Sequence, residues 1–328
     1  MGKLPEQNDM QQKDNRNQDE CRQEEHSQNE HSQDEHSQDK PNEGDPNQRS
    51  EDRAESTSNR RKYGKYAAAF GIGFQSSLEY RFQFVIGLIS LFFPIGIQSL
   101  IWSAVYRNSE QHTLYGYDYG QMIMYTILSG LIAKFVMTQL EHTIAEDIKS
   151  GGLNAYLIRP ISYFWYRVSA YAGSRVVTDS ILLGLVAAVL FAASRYGHAV
   201  LSSSRIALFA AALLLAVAVQ FLLSYAICAL AFRLAEISYF FVITGLLVQI
   251  LSGGIVPLEV FGDTLNGWFN LLPFKYTIYF PVNVLNGRLS EGEALTGLLI
   301  QCGWIALLAG AAHLAWRAGL KRYIGLGG

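Results

Sequence analysis

Cysteine is scarce in this 328-residue chain: Cys21, Cys228 and Cys302 stand far apart, with no CxxC pair. Three unpaired positions exclude a disulfide-stapled secreted domain and a cysteine metal knuckle, and leave buried small hydrophobes plus one free thiol. No GxxxxGK[ST] phosphate loop occurs, so the chain does not cradle ATP in the usual way. HExxH, GxSxG and paired intramembrane carboxylates are missing too. No catalytic residue and no metal ligand set can be assigned, which disfavours a membrane-embedded enzyme. Residues 1–60 contain no Phe, Tyr or Trp and only five hydrophobic residues, Met1, Leu4, Met10, Cys21 and Ala54. Such a segment cannot bury enough apolar surface to offset the entropy lost on folding.

The formal net charge of -2 hides a division. Residues 1–60 carry 8 Lys/Arg against 16 Asp/Glu, whereas 61–328 carry 18 against 12 and hold every aromatic residue. The expectation is a disordered acidic tail over 1–60 and a membrane domain over 61–328. Within the tail, EHSQN at 25–29 is followed by EHSQD at 30–34 and again at 35–39. This spaces His26, His31 and His36 five apart. A solvated tail that arose by local duplication is favoured over a transient metal contact.

A helix rises about 1.5 Å per residue and needs about 20 apolar residues to cross a bilayer core. Six runs of that kind occur, at about Phe82–Val105, Met122–Leu140, Val176–Ala193, Ile206–Phe232, Ile237–Ile255 and Leu295–Trp316. Lys134 and Asp179 are their only charged residues, and no polar stripe marks a soluble core helix. The expected fold is an all-α integral membrane protein with six transmembrane helices. With the N-terminus inside, the cytoplasmic flanks hold thirteen Lys/Arg and the outer flanks five, which places both termini in the cytoplasm. The first long apolar run begins only near Phe82, after dozens of highly charged residues, which agrees with a cytoplasmic N-terminus. Trp102, Tyr106, the Tyr115/Tyr117/Tyr119 cluster, Trp165, Tyr166, Trp316 and Tyr323 suit interfacial anchoring.

Three segments are more than connections. Residues 61–81, basic and then partly apolar, read as an interfacial helix on the inner leaflet before the first span. Glu141–Arg175 forms a long cytoplasmic stretch, in which Gly151-Gly152 breaks a helix and Arg159-Pro160 ends the next. Gly253–Glu293 alternates Pro257, Pro273 and Pro281 with apolar patches too short to cross, and reads as a pair of outer re-entrant helices before the last span.

The run Glu146-Asp147-Ile148-Lys149-Ser150-Gly151-Gly152-Leu153, then Tyr156-Leu157-Ile158-Arg159-Pro160, joined to six spans and an outer GGIVPLEVFG…LPF…YFP block, resembles the permease subunits of type-2 ABC exporters. It is most similar to the bacterial branch whose substrate is uncharacterised. The resemblance covers about 61–323 and excludes the His-repeat tail. It implies an ATPase-coupling loop at Glu146, Asp147, Ile148, Gly151, Leu153, Leu157, Arg159 and Pro160. It also implies an outer re-entrant segment carrying Gly253, Gly254, Pro257, Pro273, Phe274 and Pro281. The implied partners are an ABC ATPase subunit and a second permease, identical or related, within the bacterial cytoplasmic membrane; no nucleic acid is expected. ATP and Mg would sit on the ATPase, with no cofactor on this chain.

Charged groups within hydrocarbon are costly, so Lys134 and Asp179 are the candidate intramembrane polar residues. Both lie toward the inner ends, where Lys134 can snorkel and Asp179 can meet Arg175 one turn earlier; structural pairing is favoured over substrate contact. Gln residues such as Gln220 and Gln301 are expected to hydrogen-bond between helices. The competing reading is a membrane scaffold or sensor that recruits partners through its acidic tail and transports nothing.

Overall fold

The computed structural model describes residues 64–78, 81–158, 161–195, 202–234, 237–321 and 323. The 1–60 tail with its repeats, and Arg159 and Pro160, lie outside the described residues.

Residues 64–78 form α1. Then come α2 (Arg81–Arg107), strands β1 (Thr113–Leu114) and β2 (Tyr117–Asp118), α3 (Tyr119–Val136), α4 (Leu140–Lys149) and the single turn α5 (Asn154–Leu157). The chain continues through α6 (Tyr163–Arg195), α7 (Ser203–Cys228), α8 (Ser238–Leu251), α9 (Asp263–Phe269), α10 (Tyr279–Leu285) and α11 (Glu291–Leu320). The strands make a two-residue hairpin, with Thr113 opposite Asp118 and Leu114 opposite Tyr117. Its turn residues Tyr115 and Gly116 both have positive φ, 54° and 76°, as a tight hairpin turn requires. Asp118 and Gln121 then cap α3 reciprocally, and Ser290 and Glu293 do the same for α11.

Five stretches among the described residues are long and apolar enough to cross a membrane, rather than the six expected. The run expected at Ile237–Ile255 is the 14-residue α8, which stops at Leu251. There Ser252, Gly253 and Gly254 turn the chain away, with Gly253 at φ 75°. At about 21 Å, α8 falls short of the roughly 30 Å of hydrocarbon.

Two further boundaries differ from the expectation. The run Met122–Leu140 is not one helix: α3 ends at Val136, Met137 is extended at φ -63° and ψ 130°, and α4 starts at Leu140. Thr138 turns its hydroxyl to other partners, lying 2.7 Å from Ser224 Oγ and donating to Glu141 Oε1 at 3.3 Å. Secondly, α6 begins at Tyr163, well before the expected Val176, and runs unbroken for 33 residues. Arg167 and Arg175 read as loop charges in sequence. Inside the helix they are paired, Arg167 with Asp147 and Arg175 with Asp179.

Apolar packing gathers in two main clusters. One joins α3, the middle of α6, the start of α7 and α10; the other joins α4, the end of α7, Ile237, Phe241 and Trp316. Trp102, Tyr117 and Trp316, read in sequence as interfacial anchors, are core residues at 7%, 0% and 6% exposure. Trp165, Tyr115 and Tyr119 remain exposed.

Candidate functional site

Beyond the Met137–Gln139 break, the chain builds a compact helical hairpin. In α4 the apolar positions Leu140, Ile144, Ala145 and Ile148 recur at helical spacing and are buried, while His142, Thr143 and Glu146 face outward. Ser150 N–H closes the helix on Glu146 O at 2.8 Å. Gly151 at φ 78° reverses the chain, and Leu153 N–H reaches back to Asp147 O at 3.0 Å. Leu153 is 1% exposed and pegs the turn to the core, whereas Leu157 and Ile158 at the tip are 54% and 84% exposed. Two large apolar side chains held outward on a pegged turn form a surface suited to a protein partner.

Asp147, adjacent to the exposed Glu146, faces inward. Its Oδ2 accepts from Tyr163 Oη at 2.5 Å and from Arg167 Nη2, and Arg167 Nε donates to Tyr163 Oη at 3.0 Å. Below lies a platform of rings. Tyr163 is 5.1 Å from Tyr156 and 5.6 Å from Trp316 between centroids, and Trp316 stacks on Tyr225 at 4.4 Å. Trp316 Nε1 donates to Tyr225 O at 2.9 Å, so its only polar atom is satisfied. Beside the hairpin, α4 and the start of α8 enclose a cleft of about 420 Å³, with His142 edge-on to Phe241.

The segment Gly253–Glu293 gathers at the hairpin strands. Short helices α9 and α10 alternate with 3-10 turns over Leu258–Phe261 and Pro273–Tyr276; Pro257 precedes the first turn, Pro273 opens the second and Pro281 lies within α10. Tyr125 Oη donates to Gly253 O at 2.7 Å, and Tyr279 N–H to Ser252 O at 2.8 Å. A Cβ on Gly253 would lie 2.7 Å from Tyr125 Oη, and one on Gly254 3.0 Å from Ile278 Cδ1. Phe274 packs against the cluster formed by Val219, Leu222, Leu223, Val248 and Leu308. Gln301 is fully buried, and its amide donates to Ala212 O at 3.1 Å and Tyr276 O at 2.9 Å, as a Gln serving interhelical contact should. Gln301 sits about 15 Å along α11 from Glu291, so the Pro273–Tyr276 turn packs well along the flank of that helix.

A polar cluster closes this end. Tyr279 Oη donates to Glu259 Oε1 at 2.6 Å, Tyr117 Oη donates to Asn283 Oδ1 at 3.2 Å, and the Arg288 guanidinium lies 3.7 Å above the Tyr117 ring. Burial first, and then the nearby Glu259 charge, push both phenols well above their ordinary value. Burial holds the Lys275 ammonium below its usual range. Among the described residues no group of three or more His, Cys, Asp or Glu could hold a metal ion.

Of the intramembrane candidates, Asp179 meets Arg175 at 2.9 Å, the pairing expected. Lys134 is half-buried on the last turn of α3, and its carbonyl accepts from Arg175 Nη2 at 2.7 Å.

A family model described as ABC-2 family transporter protein matches residues 92–327. The chain belongs to the ABC-2 transporter family. No curated protein and no solved structure matches it. As an ABC-2 member, the chain is a multi-pass membrane protein and the permease component of an ABC transporter, a transport subunit rather than a catalytic one. The family implies an ABC ATPase partner. In this permease the structure brings together Glu146, Asp147, Ile148, Gly151, Leu153 and Leu157 of the expected coupling loop in one hairpin. Sequence reasoning missed the inward supports Arg167, Tyr163, Tyr225 and Trp316. The only signal was the density of rings over Tyr163–Tyr166, which reads equally well as an interfacial belt.

Proposed function

We propose that this chain is the exporting permease of an ABC transporter and that the α4–α5 hairpin is where the ATPase docks. The observation carrying this reading is the hairpin: Leu157 and Ile158 stand exposed on a turn pegged by Leu153 and braced by Asp147, Tyr163 and Arg167. A rigid apolar tip can take up a push from a soluble partner and pass it to the helices beneath. The excess of Lys and Arg in the flanks on the same side supports a cytoplasmic hairpin.

The finer reading follows from the same features. Two permeases pair around a central path, since the outward apolar faces of α2 and α8 offer area for a sibling as well as for lipid. The Gly253–Glu293 segment dips into the outer leaflet, packed against α11 and α3. ATP binding and hydrolysis on the ATPase pair switch the spans between inward-facing and outward-facing states. Apolar spans with few charges suit an amphipathic cargo.

Co-purification from membranes with the ATPase tests the docking assignment. Ile158→Asp with Leu157→Asp is expected to abolish association, and Glu146→Arg or Gly151→Pro to weaken it severely, at unchanged insertion. Full association in all of these variants would sink the assignment.

A further inference from the structure

A break in a membrane helix severs the simplest mechanical route between a docking hairpin and the span above it. α3 ends at Val136 and α4 begins at Leu140. The amides of Thr138 and Gln139, which in a continuous helix would serve the carbonyls of Lys134 and Phe135, lie in that break. Carbonyls left over inside hydrocarbon need another donor. Arg175 supplies it: Nη2 donates to Lys134 O at 2.7 Å and to Phe135 O at 2.8 Å. The same nitrogen lies 2.9 Å from Asp179 Oδ1, one turn further along α6, and the guanidinium carbon is 5.9 Å from the Tyr171 ring centroid.

Arg175 belongs to α6, which is unbroken from Tyr163 to Arg195. Two to three turns nearer its start, α6 holds the docking hairpin through Tyr163 and Arg167 on Asp147. One helix thus grips the hairpin at one level and the cut end of α3 at the next. On the other side of the break, the hairpin's Glu141 accepts from Ser224 of α7, so α4 has its own attachment and does not rely on α3.

We propose that Arg175 is a positioning residue of the transport cycle, fastening the end of α3 to α6 so that hairpin movement reaches α3 through α6 and bypasses the Met137–Gln139 break. The proposal rests on the docking of the ATPase at the hairpin. Asp179 orients the guanidinium, and the two carbonyls are its working contacts.

The test uses the full chain in nanodiscs, in a cysteine-free background, with nitroxides at Tyr119 on α3 and Phe191 on α6, both exposed positions. Asp179→Asn leaves the carbonyl grip. Arg175→Met with Asp179→Asn removes it without leaving a buried carboxylate unpaired. Without nucleotide, the wild type and Asp179→Asn are expected to give one narrow spin–spin distance, and the double variant a distribution about twofold broader, as for a helix with a second resting position. With the ATPase bound and trapped by ADP and vanadate, the wild-type distance is expected to stay fixed, and the double variant's to change. ATPase association should match Asp179→Asn in both states; the two carbonyls left without a donor lower the double variant's thermal midpoint by themselves, so the change of distance on trapping, which a plain loss of stability does not produce, is what reports positioning. A double variant with the wild-type distribution in both states overturns the proposal, and so does a wild-type distance that shifts on trapping. If the double variant fails to insert, the fixed or shifting wild-type distance decides. Failure of the ATPase to associate with any variant would instead count against the docking reading, because the nucleotide-free distances report the grip alone.

Discussion

Removing the Asp147 carboxylate separates the two roles open to it, an outward docking charge and an inward brace. In the structure Asp147 serves Arg167 and Tyr163, and the two charged side chains are only 21% and 13% exposed. Asp147→Ala leaves the Arg167 guanidinium buried with Tyr163 Oη as its remaining partner. Breaking a buried pair from one side costs about 3–5 kcal/mol, and partial exposure puts this case near the lower figure. Arg167→Met with Asp147→Ala removes both charges and leaves an apolar contact in their place, so it should lie within about 1 kcal/mol of wild type. The second substitution should therefore recover about 2 kcal/mol of what Asp147→Ala loses. Thermal unfolding in nanodiscs, followed by tryptophan fluorescence, should show a midpoint drop on the order of 10 °C for Asp147→Ala, most of it recovered in the double variant. ATPase association is measured on the same samples. The reasoning is refuted if Asp147→Ala unfolds as wild type yet loses the ATPase, since Asp147 would then be a docking charge.

Two glycines of α11 should respond with opposite signs to the same change. Replacing a mid-helix Gly by Ala gains about 1 kcal/mol where space allows. At Gly303 nothing lies within 4 Å of an added Cβ, so Gly303→Ala should raise the unfolding midpoint. At Gly297 a Cβ would overlap the Phe280 ring, so Gly297→Ala should cost about 1–3 kcal/mol and be partly rescued by Phe280→Leu. Alkaline pH should loosen the Tyr117–Glu259–Tyr279 cluster in a defined direction. Both phenols have raised values in the folded state. Below about pH 10 they are protonated whether folded or not, and above it the unfolded chain loses protons that the folded chain keeps. Stability contributed by these groups is therefore complete below about pH 10 and falls above it. Tyr279→Phe should flatten that decline, and ultraviolet titration of phenolate should show both groups ionising late.

What the sequence makes legible is set by what a membrane demands of every residue in a run. The spans within α2, α7 and α11 are uninterrupted apolar stretches, that of α3 carries a single charge at Lys134, and apolarity alone marks them. Gly253-Gly254 and the three prolines likewise announce irregular backbone at Gly253–Glu293, because their effect is local. The break at Met137–Gln139 is invisible for the opposite reason. Met, Thr and Gln there are compatible with a helix, and the alternative conformation is held by Ser224 and Arg175 from distant parts of the chain. Asp147 shows the same limit: its neighbour Glu146 has the same charge in sequence, and only the fold turns one inward and leaves the other outside.

The section of α6 from Tyr163 to Arg175 explains why a junction can look like a loop. Three partners meet it within about four turns: the hairpin at Tyr163 and Arg167, α1 at Gly173, and the end of α3 at Arg175. The α1 crossing is so close that a Cβ on Gly173 would strike the Phe70 backbone, and one on Gly73 the Ala170 backbone. Close backbone approach requires small residues, which Ser169, Ala170, Ala172, Gly173 and Ser174 supply. Gripping polar groups of neighbouring segments requires long charged side chains, which Arg167 and Arg175 supply. Small and charged residues both lower hydropathy, so the properties that let α6 bind three neighbours also removed its first turns from the apolar run. An under-hydrophobic stretch flanking a membrane span, rich in small residues with Arg at a two-turn interval, is therefore better read as a packing junction than as solvent-exposed loop when a partner carboxylate lies on the preceding helix. Moving Arg175 by one position along α6 would rotate its guanidinium about 100° from the cut end of α3, which is why composition alone cannot substitute for register at such a junction.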